Sequence, residues 1–278
     1  MVKVSVIIPV ARYQFLRYLL PSLASQTYSD YEVVFVIKNL DDKIIEKSCH
    51  RYPIKYAIIQ QKKGFFTGAL NLGKKNASGD LLLFTDDDVI LPNSWIKKYV
   101  KLHEAFKRAG AISSRDLSIY GKNNCFRLKP LREDRIYIKL YHWFIKSIMQ
   151  PPHPLFRKYV LGIYLTKDYR INYGLRFPND ICFSLPFRGA NMSFKKEAIS
   201  DHDFPEHPLI KRGLGNEQYI GIVLVLDGWE SIYTPQNPVL HFWQRETLSR
   251  FERETEEIKV EKKIMKNLII SILKHYCK

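Results

Sequence analysis

The chain of 278 residues has only four cysteines, Cys49, Cys125, Cys182 and Cys277, and no two form a C-x-x-C pair. That spacing excludes a thiolate zinc site of the common kind and offers no disulfide framework, so a reducing, cytoplasmic setting is expected. No run of about 18 apolar residues occurs, and a membrane-spanning helix is therefore not expected. The opening MVKVSVIIPV lacks the basic start and small-residue cleavage site of a signal peptide. Internal repeats and low-complexity tracts are missing as well. Acid is in short supply: 28 Asp and Glu stand against 44 Lys and Arg, a net charge of +16. Such a balance favours polyanionic partners, meaning nucleic acid, an anionic membrane surface or phosphorylated ligands. No nucleic-acid motif is recognisable and the aromatic residues do not interleave with the basic ones in a binding pattern, so nucleic acid is not expected.

What is present is ample core material, 46% hydrophobic and 13% aromatic, enough for one large domain or two intimate halves. Val4 to Val10 is a continuous β-branched run, the pattern of a strand buried on both faces. Leu16, Leu19, Leu20 and Leu23 follow at helical spacing, with Pro21 expected to kink or restart that helix. YEVVFVI (31–37), IKYAIIQ (54–60) and DLLLFT (80–85) read as further buried strands, with helices over 43–51 and 66–77 between them. Alternating strands and helices argue for an α/β fold with a mostly parallel sheet.

Directly after the 80–85 strand stand three carboxylates, Asp86, Asp87 and Asp88. In open parallel sheets ligands bind beyond the carboxyl ends of the strands, which is where these residues lie. On an extended backbone Asp86 and Asp88 point the same way and Asp87 the other, so the first and third can share one ligand. Hard oxygen donors suit Mg2+ or Mn2+, and such an ion commonly bridges substrate phosphates. The plainer alternative is a solvated turn and helix cap before PNSW.

Four blocks then carry a family resemblance: VSVIIPVARYQFLRYLLPSLASQTYSDYEVVFVI, ALNLGKKNASGDLLLFTDDDVILPNSW, FRGANMSFKKEAI and GLGNEQYIGIVLVLDGWESIYTPQNPVLHF. In this order and spacing the sequence resembles the family-2 inverting glycosyltransferases of the GT-A fold, over most of residues 3–242 apart from about 120–185. The resemblance implies a Rossmann-like sheet flanked by helices, a nucleotide-sugar donor (a UDP-sugar first, a GDP-sugar second), a divalent cation, Mn2+ or Mg2+, and transfer with inversion to a hydroxyl acceptor that is a glycan or is lipid-linked. It places the metal on Asp86 and Asp88, with His241 beside it, and Asp87 near the ribose or sugar. It implies Glu217 as the general base, with Gly228 eleven positions later; the family more often has Asp at this place. Asp227 and Asp203 are the reserve candidates. The nucleotide is expected against Pro9, Val10, Arg12, Asn39 and Asn71, and the acceptor and donor sugar against Gly189, Ala190, Asn191 and Trp229. The exit of the second strand departs from the family, with Lys38 and Asn39 where an Asp often reads the base and Asp41 and Asp42 slightly later.

The stretch outside the blocks is basic and aromatic. Residues 122–176 hold twelve Lys and Arg against three acidic residues. RIYIKLYHWFIKSIM (135–149) sets Arg135, Lys139, His142 and Lys146 on one stripe of a helix, a pattern that suits either a membrane interface or a core helix with one wet edge. In the tail, Lys259, Lys262, Lys263 and Lys266 form one helix face and Met265, Leu268, Ile269 and Ile272 another, for a membrane, a partner or simple capping. The expected organisation is a nucleotide-sugar half over 1–120, a basic aromatic insertion over 121–187, an acceptor and catalytic half over 188–244, and an amphipathic helical tail over 245–278. The rival readings are a sugar nucleotidyltransferase and a non-catalytic membrane-associated scaffold. Peripheral attachment to the inner face of the cell membrane is expected from the concentrated positive charge together with aromatic side chains at the headgroups.

Overall fold

The computed structural model describes residues 2–122, 125–129, 140–141, 145, 147–173, 178–244 and 255–276. The helix expected over 135–149 lies mostly outside these residues. Strands β1 (Val4–Val10), β2 (Tyr31–Ile37), β3 (Tyr56–Gln60) and β4 (Leu81–Phe84) pair in parallel in the order β3-β2-β1-β4. The short strand β5 (Val89–Ile90), β6 (Ala109–Lys122), β7 (Cys125–Leu128), β10 (Cys182–Phe183), β11 (Met192–Lys195) and β12 (Glu230–Phe242) extend this into one ten-stranded sheet. Strands β8 (Tyr164–Leu165) and β9 (Ile171–Asn172) form a separate pair. The sheet thus runs through both expected halves, and the boundary placed at 120 falls inside β6.

Both faces of the sheet are covered because its central strands are apolar on both sides. Helices α1 (Leu16–Ala24), α2 (Asp42–Cys49) and α4 (Trp95–Ala105) lie over one face, with Val6, Ile8, Phe35 and Leu83 beneath them. Helices α3 (Phe66–Asn76) and α5 (Asn216–Leu226) cover the other, over Ile7, Val34, Phe84 and Phe194. Leu16, Leu19, Leu20 and Leu23 are all buried, each contributing about 1.5–3 kcal/mol of transfer free energy. Helix α1 continues through Pro21 without restarting. Pro21 lies on the exposed side, and the four buried leucines hold the helix although one backbone hydrogen bond is missing. Gly73 of α3 permits close helix-to-sheet approach, since a Cβ there would sit 2.3 Å from Ile7 Cγ2.

A third cluster joins Phe156, Tyr159 and Leu185 of the basic stretch to Ile222 of α5 and to Met265, Ile269 and Leu273 of α6 (Glu256–Tyr276). The tail helix therefore packs on the domain, the third of the alternatives read from its pattern. Among the described residues no helix is long and apolar enough to cross a membrane.

Candidate active site

The exits of β1 and β4 meet at the carboxyl ends of those strands. The chain leaves β4 at Phe84, passes the three aspartates and re-enters the sheet as β5, which pairs antiparallel with Leu240 and His241 of β12. The pairing is extended by Phe242 N–H, which donates to the Asp88 carbonyl at 2.9 Å. Alternation then separates the carboxylates as the sequence implied. Asp86, Asp88 and His241 offer ligand atoms that all lie within 4.8 Å of one another. Asp87 turns away and accepts the backbone N–H groups of Ala11 and Arg12, both at 2.8 Å, tying the β4 exit to the β1 exit.

His241 reaches the site because β12 is bulged. Its register on β6 jumps between Thr234 and Val239, across Pro235, Gln236, Asn237 and Pro238, whereas β6 spends a single residue there. Neither proline can donate a ladder bond, so the strand gives up pairing and is re-aimed. Beyond the bulge His241 Nε2 lies 2.9 Å from Asp88 Oδ1 and 3.9 Å from Asp86 Oδ2. Its Nδ1 lies 2.9 Å from Asp116 Oδ2, and the same oxygen accepts from Arg188 Nη1 at 2.9 Å.

The charges follow from burial and these partners. Burial raises the Asp86 carboxyl above the usual range; His241 opposes this, while Asp88, Asp87 and Glu217 push the same way. Asp88 is held below that range: burial alone would raise it, but the hydrogen bond and charge of His241 prevail, helped by Arg12 and Gln244. Burial likewise opposes ionisation of Asp116, yet Arg188 and His241 keep it well below the ordinary carboxylate value. His241 is pushed up to about 10 because its bonds to Asp116 and Asp88 outweigh the cost of burial. The set of two carboxylates and an imidazole suits a divalent cation of the Mn2+ type, with Asp116 fixing the ring orientation behind the ligand nitrogen.

Glu217 stands in the first turn of α5, and its Oε1 accepts from Gly189 N–H at 2.9 Å. Burial raises its carboxyl above the normal value, against its own backbone N–H, that of Gly189 and the charge of Arg188. Arg188 and Gly189 are neighbours, so one loop touches both Asp116 and Glu217. Arg12 extends from the β1 exit to Asp88 Oδ2 at 3.1 Å and Asp87 Oδ1 at 3.4 Å, and lies over the Phe15 ring. Gln244 donates to Asp88 Oδ2 at 2.6 Å and accepts from Arg12.

Other expected site residues are placed differently. Trp229 sits at the far end of β12 from His241, packed against Gly110 and Ala198, with Lys195 over its ring at 5.3 Å; the strand's length separates it from the aspartates. Asn71 spends its amide on the Phe204 backbone and Glu206, bracing the 203–206 segment. Asn191 is fully buried and its amide is consumed by Trp95, Tyr99, Arg115 and Asn237, so it shapes the loop from behind. Ala190 is buried and its carbonyl accepts from Thr85. Val10 packs into the core, while Pro9 beside it is half-buried. Asn39 is exposed in a left-handed backbone (φ 56°) on the rim formed by the β2 and β3 exits, where Lys38 donates to the Gly64 carbonyl and Tyr13 OH to that of Asp41. The reserve bases are elsewhere: Asp227 meets His202 and Tyr276, and Asp203 pairs with Lys74. Asp116 and Gln244 were not singled out by the sequence. Asp116 stands in SSRDLSIY with no local signal, 72 and 125 residues from its two partners.

A sequence profile described as glycosyl transferase family 2 matches residues 5–162. No curated protein matches the chain. Among solved structures, TarS of S. aureus (residues 1–349, in complex with UDP-GlcNAc) is similar at a TM-score of 0.59 and 16% identity, over 95% of this chain and 65% of that one. The mannosyltransferase PcManGT from Pyrobaculum calidifontis, in complex with GDP-Man and Mn2+, is similar at 0.59 and 15%, over 96% and 70%. GalNAc-T7 with UDP, GalNAc and Mn2+ is similar at 0.66 and 13%, over 99% and 50%. The chain thus spans about two thirds of the 1–349 portion of TarS, 37% of the longer TarS chain and half of GalNAc-T7, and at these identities the likeness is one of fold, GT-A.

Proposed function

This chain belongs to glycosyl transferase family 2, and from that premise we propose that it transfers a sugar from a nucleoside-diphosphate sugar to a hydroxyl acceptor with inversion. The observation that carries the reading is the Asp86–Asp88–His241 set, together with the half-buried Glu217 carboxylate held on Gly189 N–H next to Arg188. Asp86, Asp88 and His241 would hold Mn2+ or Mg2+, which supplies Lewis-acid stabilisation of the charge that builds on the leaving diphosphate. Arg12, at the β1 exit beside Asp88, adds a second positive group there. Asp87 keeps that exit closed on β4 and so sets the floor of the nucleotide cleft. Glu217 takes the acceptor hydroxyl proton as the new bond forms at the anomeric carbon and the bond to the diphosphate breaks, a single displacement. Gly189 N–H orients the Glu217 carboxyl, leaving its second oxygen for the acceptor.

A UDP-sugar is the favoured donor, in line with the UDP-containing complexes of TarS and GalNAc-T7; the GDP-Man complex of PcManGT makes a GDP-sugar the alternative. The nucleotidyltransferase reading is disfavoured because Asp87 already occupies the β1-exit N–H groups that a triphosphate loop would need. The scaffold reading is disfavoured by the intact ligand set and Glu217. The test is incubation with UDP- and GDP-sugars in Mn2+, with release of the nucleoside diphosphate as readout. Release only when metal is present supports the reading; none with any donor refutes it.

A second element concerns the acceptor, for which a lipid-linked glycan at an anionic membrane is favoured. Its support is the basic excess of 122–176 together with Leu140, Tyr141, Ile145, Ile148 and Met149, all exposed in the same stretch. Each basic side chain near an anionic surface contributes about 1 kcal/mol. Co-sedimentation with anionic but not neutral vesicles at low salt is the expected result, and absence of binding to both would remove the membrane.

A further inference from the structure

Glu261 lies on the C-terminal helix α6, far in sequence from the candidate site, yet only 2% of it is exposed. Its Oε1 accepts from Leu214 N–H at 2.8 Å, and its Oε2 from Lys211 N–H at 3.2 Å and Arg212 N–H at 3.1 Å. A buried carboxylate carries a large desolvation cost, and three charge-assisted bonds to backbone donors offset it. The loop has the complementary need. Residues 211–215 belong to no helix or strand, and successive N–H groups of such a turn form an anion-binding concavity. Here the anion is a side chain of the protein itself.

That loop leads directly into the catalytic helix. Gly213 and Gly215 take left-handed backbone (φ 71° and 83°), Gly215 caps α5, and Glu217 follows in the first turn. Asn216 N–H closes back on the Gly213 carbonyl at 3.0 Å. Met265, one helical turn beyond Glu261, backs Gly215, where a Cβ would come within 3.5 Å of its Cγ. Helix α6 is held in place by Ile258, Met265, Ile269 and Leu273, all buried. The position of Glu217 against Gly189 is thus set from two sides: by the Arg188–Gly189 loop in front and by Glu261 behind.

We propose that Glu261 is a positioning residue for Glu217, so that the tail helix is a working part of the catalytic centre. The proposal rests on the reading of Glu217 as the general base. A displacement of a catalytic group by about 1 Å can cost on the order of 100-fold in rate, and loss of the Glu261 bonds removes three of the contacts that fix the loop before Glu217.

The experiment compares the full chain with Glu261→Gln, which keeps shape and one acceptor oxygen but sets an amide donor against backbone donors. Lys263→Gln, an exposed change on the same helix, is the control. Titration calorimetry with UDP and Mn2+ reads the donor site without transfer, and steady-state kinetics over pH reads the base. The expected result is unchanged UDP and Mn2+ affinity and donor KM, a kcat lower by about 100-fold per folded molecule, and an altered ascending limb of the pH profile, with Lys263→Gln like wild type. If Glu261→Gln does not fold, Met265→Ala loosens the packing of α6 behind Gly215 while sparing the Glu261 hydrogen bonds, and a kcat loss at constant donor KM is again expected. Wild-type kcat and pH profile in the folded variant would overturn the proposal and leave Glu261 as a loop cap alone. Failure of wild type to bind either UDP or GDP with Mn2+ would instead overturn the glycosyltransferase reading on which it rests.

Discussion

Asp116→Asn is the most searching test of how the metal set is built. The Asp116 side chain is 1% exposed and one oxygen receives both His241 Nδ1 and Arg188 Nη1. Asparagine keeps the shape but offers one carbonyl oxygen and one NH2, so a donor must face either the imidazole or the guanidinium. Removing one partner from a buried ion pair costs about 3–5 kcal/mol. The Arg188 side chain is 28% exposed and can be partly rehydrated, which places the loss near the lower end, about 3 kcal/mol. A domain with roughly 5–15 kcal/mol of stability survives that. The orientation of His241 does not, and loss of such a supporting carboxylate costs about 10- to 100-fold in metal affinity. Urea unfolding and Mn2+ titration with UDP measure the two effects separately. The stability gap should also depend on pH in metal-free protein. Asp116 titrates below its unfolded value, so its contribution is present above about pH 4 and lost in strong acid. His241 titrates at about 10, so its contribution is full below its unfolded value and fades as pH rises through 10. The gap is therefore widest in mildly acidic solution. Mn2+ affinity unchanged within about twofold, alongside reduced stability, would refute the ligand-orienting role and leave Asp116 as part of the core.

Three further outcomes follow from the same geometry. Glu217→Gln should keep UDP and Mn2+ binding and lose about 100- to 10,000-fold in kcat, with the wild-type rate rising through a pKa above the usual carboxylate range because burial raises it; near-normal turnover by the variant would exclude it as base. Mn2+ binding should release a proton from His241, so affinity increases from mildly acidic to alkaline pH, and calorimetry in buffers of different ionisation enthalpy detects the release; none would exclude His241 as a ligand. Trp229→Ala should leave donor KM and kcat unchanged while lowering stability by less than the roughly 3–5 kcal/mol of a fully buried tryptophan, since Trp229 is half-buried; a kinetic defect at full folding would return it to the site.

The sequence by itself determined the sheet and which way the carboxylates at its edge face. Val4–Val10, Tyr31–Ile37 and Leu81–Phe84 are apolar on both faces, which only a doubly covered parallel sheet can bury, and period-two alternation alone sends Asp86 and Asp88 to one side and Asp87 to the other. The place of Glu217 at a helix start after a glycine-bearing loop was legible from the family block GLGNEQ, and the structure has it in the first turn of α5. Only the tertiary structure decided the rest, because the deciding contacts are remote in sequence. His241 becomes a neighbour of Asp88 through a proline-bounded bulge and a two-residue pairing with β5. Asp116 acquires its role from partners that no local pattern links to it. Trp229, close to Glu217 in sequence and part of the same family block, is carried to the opposite end of the sheet by the rise of helix α5. Asn71 and Asn191 have the amides of binding residues, but burial makes the backbone around them the first claimant on those hydrogen bonds. The tail pattern of α6 fitted membrane, partner or core equally well, since an amphipathic helix reveals only that one face is buried; the shape of α5 and the loop before it determined what it is buried against.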